Sequence, residues 1–349
     1  MGDVYFSGRS NTQDIPPIGQ PDTNQQRKKN GNKKHLPFKL AIAFLLAVAI
    51  ILTGTFAYVY DLMRRTNFNE QGNKPNVYVN SGDLMQDKNV LNILLLGVDA
   101  RVPNVNSRSD SMLLFSIDKN NKKMKLTSFM RDTWVMLPES KSYAKLNASC
   151  TYGGAQYVID TIEYNFNIKI DSYVLVDFNA FMSIIDSLGG IDLEITQEEA
   201  KTMRDEYFFK TQAGDSVHLD GNEALWYSRI RYLDSDFMRT YRQRKVVTAI
   251  VQKAGNTSLF KLSDILKDIL PVVETDLNPL ELTKLAMGAL IIYRNYDIEQ
   301  ARIPADDTWK SANKKGQDVL EADLGANQKY LENFLYKFDV QKETQSDTN

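Results

Sequence analysis

The chain has 349 residues, with 42 basic against 44 acidic side chains and a net charge of −2. It is long enough to bury a sizeable core, and it lacks the overall polyelectrolyte character of a nucleic-acid binder. Its one cysteine, Cys150, excludes an internal disulfide, so the fold must hold by packing, with Cys150 read as a buried structural residue.

Residues 1–37 are rich in Asn, Gln, Pro, Gly and Lys and poor in apolar residues, which predicts a disordered tail. Residues 40–60, LAIAFLLAVAIILTGTFAYVY, carry no charge and make roughly 30 Å of helix, enough to cross a bilayer. The run ends in Tyr58 and Tyr60 and not in the small residues of a cleavage site, so 38–60 reads as an uncleaved signal-anchor helix. Arg27, Lys28, Lys29, Lys33, Lys34 and Lys39 precede it with no acid among them, and only Arg64 and Arg65 follow closely. That asymmetry predicts a cytoplasmic N-terminus and an extracytoplasmic remainder in a single-pass protein of the cell membrane.

Residues 61–88 are polar and broken by Gly72, Pro75 and Gly82, as in a stalk. A folded domain is expected over 89–341, with 342–349 frayed. It opens on VLNILLLGV at 90–98, a continuous apolar run that suits a strand covered on both faces. Further strands are expected at 111–118, 125–129, 172–177, 191–195 and 298–303. Helices are expected at 155–166, 178–188, 237–254, 259–270, 280–293 and 317–338. The alternation predicts one layered α/β/α domain with a mixed central sheet, behind the single transmembrane helix.

The chemistry concentrates in SRIRYLDSDFMRTYRQR at 228–244, where Arg229, Arg231, Arg239, Arg242 and Arg244 surround Asp234 and Asp236 without a lysine. A guanidinium is a planar fork that grips oxyanion oxygens in pairs, so phosphate is the leading ligand. Arg239 and Gln243 are four apart and share a helical face; Asp236 is either their neighbour or simply the helix cap. Arg242 and Arg244 read as decoration of the helix. Asp99 follows the first strand, Asp110 stands at the entrance to the next and Arg131 follows a third; ligands of α/β sheets gather at such strand ends. Two aspartates there suit magnesium, which takes one or two carboxylates and completes its shell from water and phosphate. From spacing alone, turn capping remains open for both.

Gly153 and Gly154 before a helix permit close backbone approach to a ligand, a weak signal by themselves. His218 reads as a structural turn residue, and Trp226 and Tyr227 as core. No GxSxG, HExxH or glycine-rich nucleotide loop is present, so serine-hydrolase, zincin and P-loop chemistry lack their motifs.

Taken together, NILLLGVDAR, RSDSMLLFSID, LTSFMRDTWV, KLNASCTYGG, IDSYVLVDFNAFMSIIDSLGGIDL and HLDGNEALWYSRIRYLDSDFMRTYRQR resemble the LytR-CpsA-Psr family of cell-envelope enzymes. The resemblance runs in consistent order over about residues 91–247. It implies transfer of a teichoic-acid or capsule glycopolymer from an undecaprenyl-pyrophosphate carrier in the membrane to a peptidoglycan hydroxyl, with no nucleic-acid partner. It also implies that Asp99 and Asp110 hold Mg2+, with Mn2+ as a substitute, and that Arg101, Arg131, Arg229, Arg231, Arg239 and Gln243 grip the pyrophosphate. Arg101, Arg131 and Asp236 would act on the reacting groups, Asp236 by ordering arginines or by assisting deprotonation of the acceptor. Two rival expectations are plain hydrolysis of a polyprenyl pyrophosphate and a non-enzymatic, membrane-anchored regulator of envelope or transcription.

Overall fold

The computed structural model describes residues 2, 36–70, 72, 74–99, 107–231 and 233–338. Arg101, the expected frayed terminus and nearly all of the expected tail lie outside them. The chain divides into two units, one up to Gly54 and one from Thr55 onward. Helix α1, Leu36–Met63, begins in the first unit and is long and apolar enough to cross a membrane. Its last residues belong to the second, where Leu62 and Met63 are buried against Leu270.

The second unit runs β1 (Asn67–Phe68), β2 (Val90–Val98), β3 (Ser109–Asp118), β4 (Lys123–Phe129), β5 (Trp134–Leu137), β6 (Ser142–Lys145) and α2 (Ala148–Phe166). It continues with β7 (Ser172–Asp177), α3 (Phe178–Ser187), β8 (Ile191–Ile195), α4 (Gln197–Asp205), β9 (Gly214–Leu219), α5 (Gly221–Arg229) and α6 (Asp236–Gly255). The last elements are α7 (Leu259–Ile269), β10 (Glu274–Thr275), α8 (Pro279–Ile291), β11 (Asp297–Ile303), β12 (Trp309–Lys314), β13 (Gln317–Ala322) and α9 (Leu324–Tyr336).

Seven strands form one sheet in the order β1-β10-β7-β2-β3-β4-β11. Pairing is parallel at β1/β10, β7/β2 and β4/β11 and antiparallel elsewhere, so the sheet is mixed, as the sequence predicts. Strand β2 lies at its centre because Leu94, Leu96 and Val98 pack with Val158, Ile162 and Phe166 of α2 and with Leu331 and Leu335 of α9. Beyond the other face a second cluster joins Ile185 of α3, Ile191 and Leu193 of β8, Tyr227 of α5 and Val246 of α6.

The expected strand 191–195 forms, paired with β9 outside the central sheet. Two expectations are corrected. The expected final helix over 317–338 is a strand followed by a shorter helix. Lys315 and Gly316 turn the chain with φ of 55° and 75°, pairing β13 with β12; two consecutive positive φ values are what a tight hairpin needs. Asp323 then caps α9 by accepting from the Ala326 amide at 3.0 Å. The expected stalk is, over its described residues, stitched to the domain. Phe68 pairs with Thr275, Met85 with Ile168, and the buried Asn76 donates to Glu163 at 2.9 Å. Composition sees only that such a segment is polar; it does not see that a buried carboxylate 87 residues away needs its amide.

Three glycines shape the helices that flank the site. In α2, Gly153 and Gly154 leave helical geometry, Gly154 at φ 64°, so the helix is kinked near its start. A Cβ on Gly221 would stand 2.4 Å from the Met182 carbonyl oxygen, so only glycine lets the start of α5 press against α3.

Candidate active site

The strand ends converge as the sequence predicts. Gly97 pairs with Ser111 and Val98 with Ser109, leaving Asp110 as the extra residue of a β-bulge beside the end of β2. Bulges re-aim side chains and are common at functional edges. Asp99, half-buried, follows β2 immediately, so the two carboxylates leave neighbouring strands at one edge. Arg131 follows β4, and its Nη1 donates to Asp110 Oδ1 at 2.8 Å. Arg131 Nη2 lies 3.4 Å from Asp236 Oδ1, while its Nε stands 3.6 Å from Asp132, too far for a hydrogen bond.

Arg231, exposed in the link between α5 and α6, donates to Asp110 Oδ2 at 3.4 Å. Asp236 is the first residue of α6, but the cap is Ser235, whose hydroxyl accepts from the Met238 amide at 3.4 Å. Asp236 instead takes Arg239 Nη2 at 2.9 Å. Asp110, Arg131, Arg231, Asp236 and Arg239 therefore form one network that draws on two strand ends, the α5–α6 link and one helix. Gln243, half-buried, follows one turn after Arg239 on α6.

Arg229 stands apart from the carboxylates. Its guanidinium stacks on Phe178 at 4.4 Å and on Trp226 at 5.1 Å, a cation–π arrangement that holds the plane of the fork. Trp226, read from sequence as core, is half-buried and packs on Tyr207; Tyr227 is fully buried. His218 lies on β9, not in a turn, with Nδ1 3.1 Å from Asp192. Cys150 is buried in the main core, and burial pushes its thiol up to about 11.

Electrostatics separate the members. Burial works against ionisation of Asp110, but the hydrogen bond and charge of Arg131, with Arg231 and Arg239 beyond, hold it below the usual carboxylate range. Arg131 is likewise penalised by burial, and the charges of Asp236, Asp110 and Asp132 more than restore it. Arg239 is the exception. Burial, with repulsion from Arg131 and Arg231, drives it down to about 10 despite Asp236. It is 1% exposed, and its Nε and Nη1, like Arg131 Nε, have no hydrogen-bond partner. Unpaired buried donors on a cation are costly, and an oxyanion among them relieves that cost.

Arg242, which reads from sequence as decoration, is a structural anchor. Also 1% exposed, it binds Asp234 through both terminal nitrogens, Glu199 Oε1 at 2.8 Å and the Ile230 carbonyl at 3.3 Å. These bonds brace residues on both sides of Arg231. Arg244 is buried too, against Ser128 and Gln300.

A cleft of about 520 Å3 adjoins the network, between Asp132, Asp236 and Phe237 and the β12–β13 hairpin. On the sheet, Leu95 pairs with Leu113 and Val174, and Leu113 with Ser128, whose hydroxyl accepts from Arg244 of α6. Leu95, Phe115, Val174 and Val176 thus share the α6 face, and all are only partly buried although their strands are central.

For a metal, no group of three or more His, Cys, Asp or Glu side chains is poised to hold an ion among the described residues. Asp99 and Asp110, two carboxylates at one edge beside the arginine cluster, fit Mg2+ of the kind that completes its shell from substrate and water.

Comparison with known proteins bears on these groups. A family model described as the LytR_cpsA_psr family matches residues 56–333. A Bacillus cereus protein named polyisoprenyl-teichoic acid–peptidoglycan teichoic acid transferase TagU is 35% identical over 190 residues, covering 54% of this chain and 60% of that protein. The similarly named TagV of Bacillus subtilis is 33% identical over 257 residues, covering 68% of this chain and 63% of that protein. The chain thus spans less than two thirds of the length of either. The solved structure of TagT bound to LI-WTA superposes with a TM-score of 0.61 at 26% identity, covering 77% of this chain and 98% of that one.

Proposed function

The chain belongs to the LytR-CpsA-Psr family, and from that premise we propose that it moves a teichoic-acid-type glycopolymer from an undecaprenyl-pyrophosphate carrier onto a peptidoglycan hydroxyl. The observation that carries the reading is Arg239, a buried guanidinium with two unpartnered donor atoms facing a cluster of further arginines. The names of TagU and TagV supply the polymer, carrier and acceptor classes.

In this reading Arg131, Arg231 and Arg239, with Gln243 and with Arg101 from the connection after β2, receive the pyrophosphate oxygens. Arg229, fixed by its aromatic stack, presents its fork at the margin. The acceptor hydroxyl oxygen forms a bond to the sugar-linked phosphorus, the bond from that phosphorus to the bridging oxygen breaks, and undecaprenyl phosphate leaves, taking up the hydroxyl proton. Protein needs little covalent part in such a step; positioning and charge neutralisation supply most of the rate. Asp236, held between Arg131 and Arg239, orders both forks. Asp99 and Asp110 would hold Mg2+, which when bound neutralises charge on phosphate oxygens. The partly buried apolar side chains of Leu95, Phe115, Val174 and Val176 on the sheet receive the start of the polyprenyl chain. Helix α1 anchors the protein with its N-terminus in the cytoplasm and the site outside, in keeping with the lysines and arginines before it.

The test supplies labelled lipid-linked polymer and isolated peptidoglycan to the purified chain in detergent. A transferase makes label covalently bound to the wall; soluble label alone identifies a hydrolase and sinks the proposal.

A further inference from the structure

Five residues past Arg239, about 7–8 Å along the axis of α6, Arg244 turns into a different space. Its Nε and Nη1 bind Gln300 at 3.1 Å and Ser128 at 2.7 Å, both neutral, and it is 7% exposed. Arg302 of β11 stacks on Phe237 at 4.5 Å, pairs with the exposed Asp306 through one terminal nitrogen, and keeps a buried Nε with no partner. Both arginines line a cavity of about 510 Å3 whose wall also includes Lys329, Thr308, Tyr330 and Asn333. Asp306 is the one acid in that wall, and its side chain is 81% exposed. Burial and the nearby charge of Arg302 bring Arg244 down to about 10.

Two crowded guanidiniums, a lysine and hydroxyl and amide donors make a lining for an oxyanion. Its position tells which one. Phe237 separates this cavity from the cleft beside the pyrophosphate cluster, because it lines that cleft and stacks on Arg302. The cleft carries Asp132, Asp236 and Asp318, which repel phosphate but accept hydrogen bonds from sugar hydroxyls. A chain leaving the cluster would lay neutral sugars in the acidic cleft and set its next anion beyond Phe237.

We propose that the Arg244–Arg302–Lys329 cavity is a second oxyanion site, which holds a phosphodiester of the donor polymer while its pyrophosphate occupies the first cluster. The proposal rests on the transfer reading above, and it makes the enzyme sensitive to what the polymer carries beyond its first sugars.

Calorimetry on the full chain tests it with two probes, a soluble glycerol-phosphate oligomer and farnesyl pyrophosphate. Arg302→Gln and the surface change Lys329→Glu should each lower the ratio of oligomer to farnesyl-pyrophosphate affinity at least tenfold. Equal losses for both probes, or no loss, overturn the site. Lost binding of a peptidoglycan stem-peptide fragment in place of the oligomer reassigns the cavity to an acceptor carboxylate and also overturns it. Wild-type chain that binds the oligomer in this way but transfers nothing sinks the transfer reading while the site stands.

Discussion

Arg239 and Arg242 lie on one helix, three residues apart and each 1% exposed, yet their surroundings are opposite. Arg242 is fully matched by Asp234, Glu199 and a backbone carbonyl, and although burial opposes its charge, those partners raise it above its ordinary value. Arg239 shares Asp236 with Arg131, faces two like charges and leaves two donor atoms unpaired. Burial alone does not distinguish a structural arginine from a ligand-binding one. The count of partners does, because a folded protein tolerates unsatisfied charge where a ligand will complete it.

This contrast can be broken by substitution. The largest effect is expected for Arg231→Ala, an exposed residue whose loss leaves the fold intact and cuts transfer by about 10²–10³-fold, the scale of removing one charge-stabilising donor. Unchanged transfer by a variant with wild-type circular dichroism removes Arg231 from the clamp. Next is Arg242→Ala, which strands Asp234 and the buried Glu199 and should cost about 3–5 kcal/mol in denaturant unfolding, as for one partner lost from a buried pair. A loss below about 1 kcal/mol would remove the anchor role. Arg239→Met should do the reverse, holding or raising Tm while lowering transfer, because removing an under-paired buried cation relieves strain; a large drop in Tm would place Arg239 with Arg242.

The smallest effect concerns acid. Asp110 is held below its ordinary value by the arginines, so its stabilising contribution is fully present above about pH 3.9 and is lost as pH falls through the depressed folded value. Tm curves of wild type and Asp110→Asn should therefore differ above that pH and converge below it. A constant gap across the range contradicts the pairing.

Much of the fold was legible because its strands are doubly covered: β2 and β7 read directly from unbroken apolar runs. The hairpin of β12 and β13 was not, since Val319 and Leu320 fit a helical stripe as readily as a strand, and the turn at Lys315 and Gly316 decides. In the site, Asp110 and Arg131 were legible as residue types at strand ends, and Arg231 and Arg239 as members of one arginine-rich segment. The division of labour between Arg239 and Arg242 was not. Helical spacing gives the face of each residue, but Glu199, 43 positions upstream on α4, turns Arg242 into an anchor, and no local pattern links the two.

The central claim, that Arg239 keeps its donors free for a pyrophosphate, meets its most direct test in binding of farnesyl pyrophosphate to Arg239→Lys. That change keeps the charge and removes the fork. The account predicts at least about a tenfold loss of affinity, roughly 1.4 kcal/mol, with Tm unchanged. Affinity equal to wild type would contradict it, because a point charge would then serve as well as the paired donors.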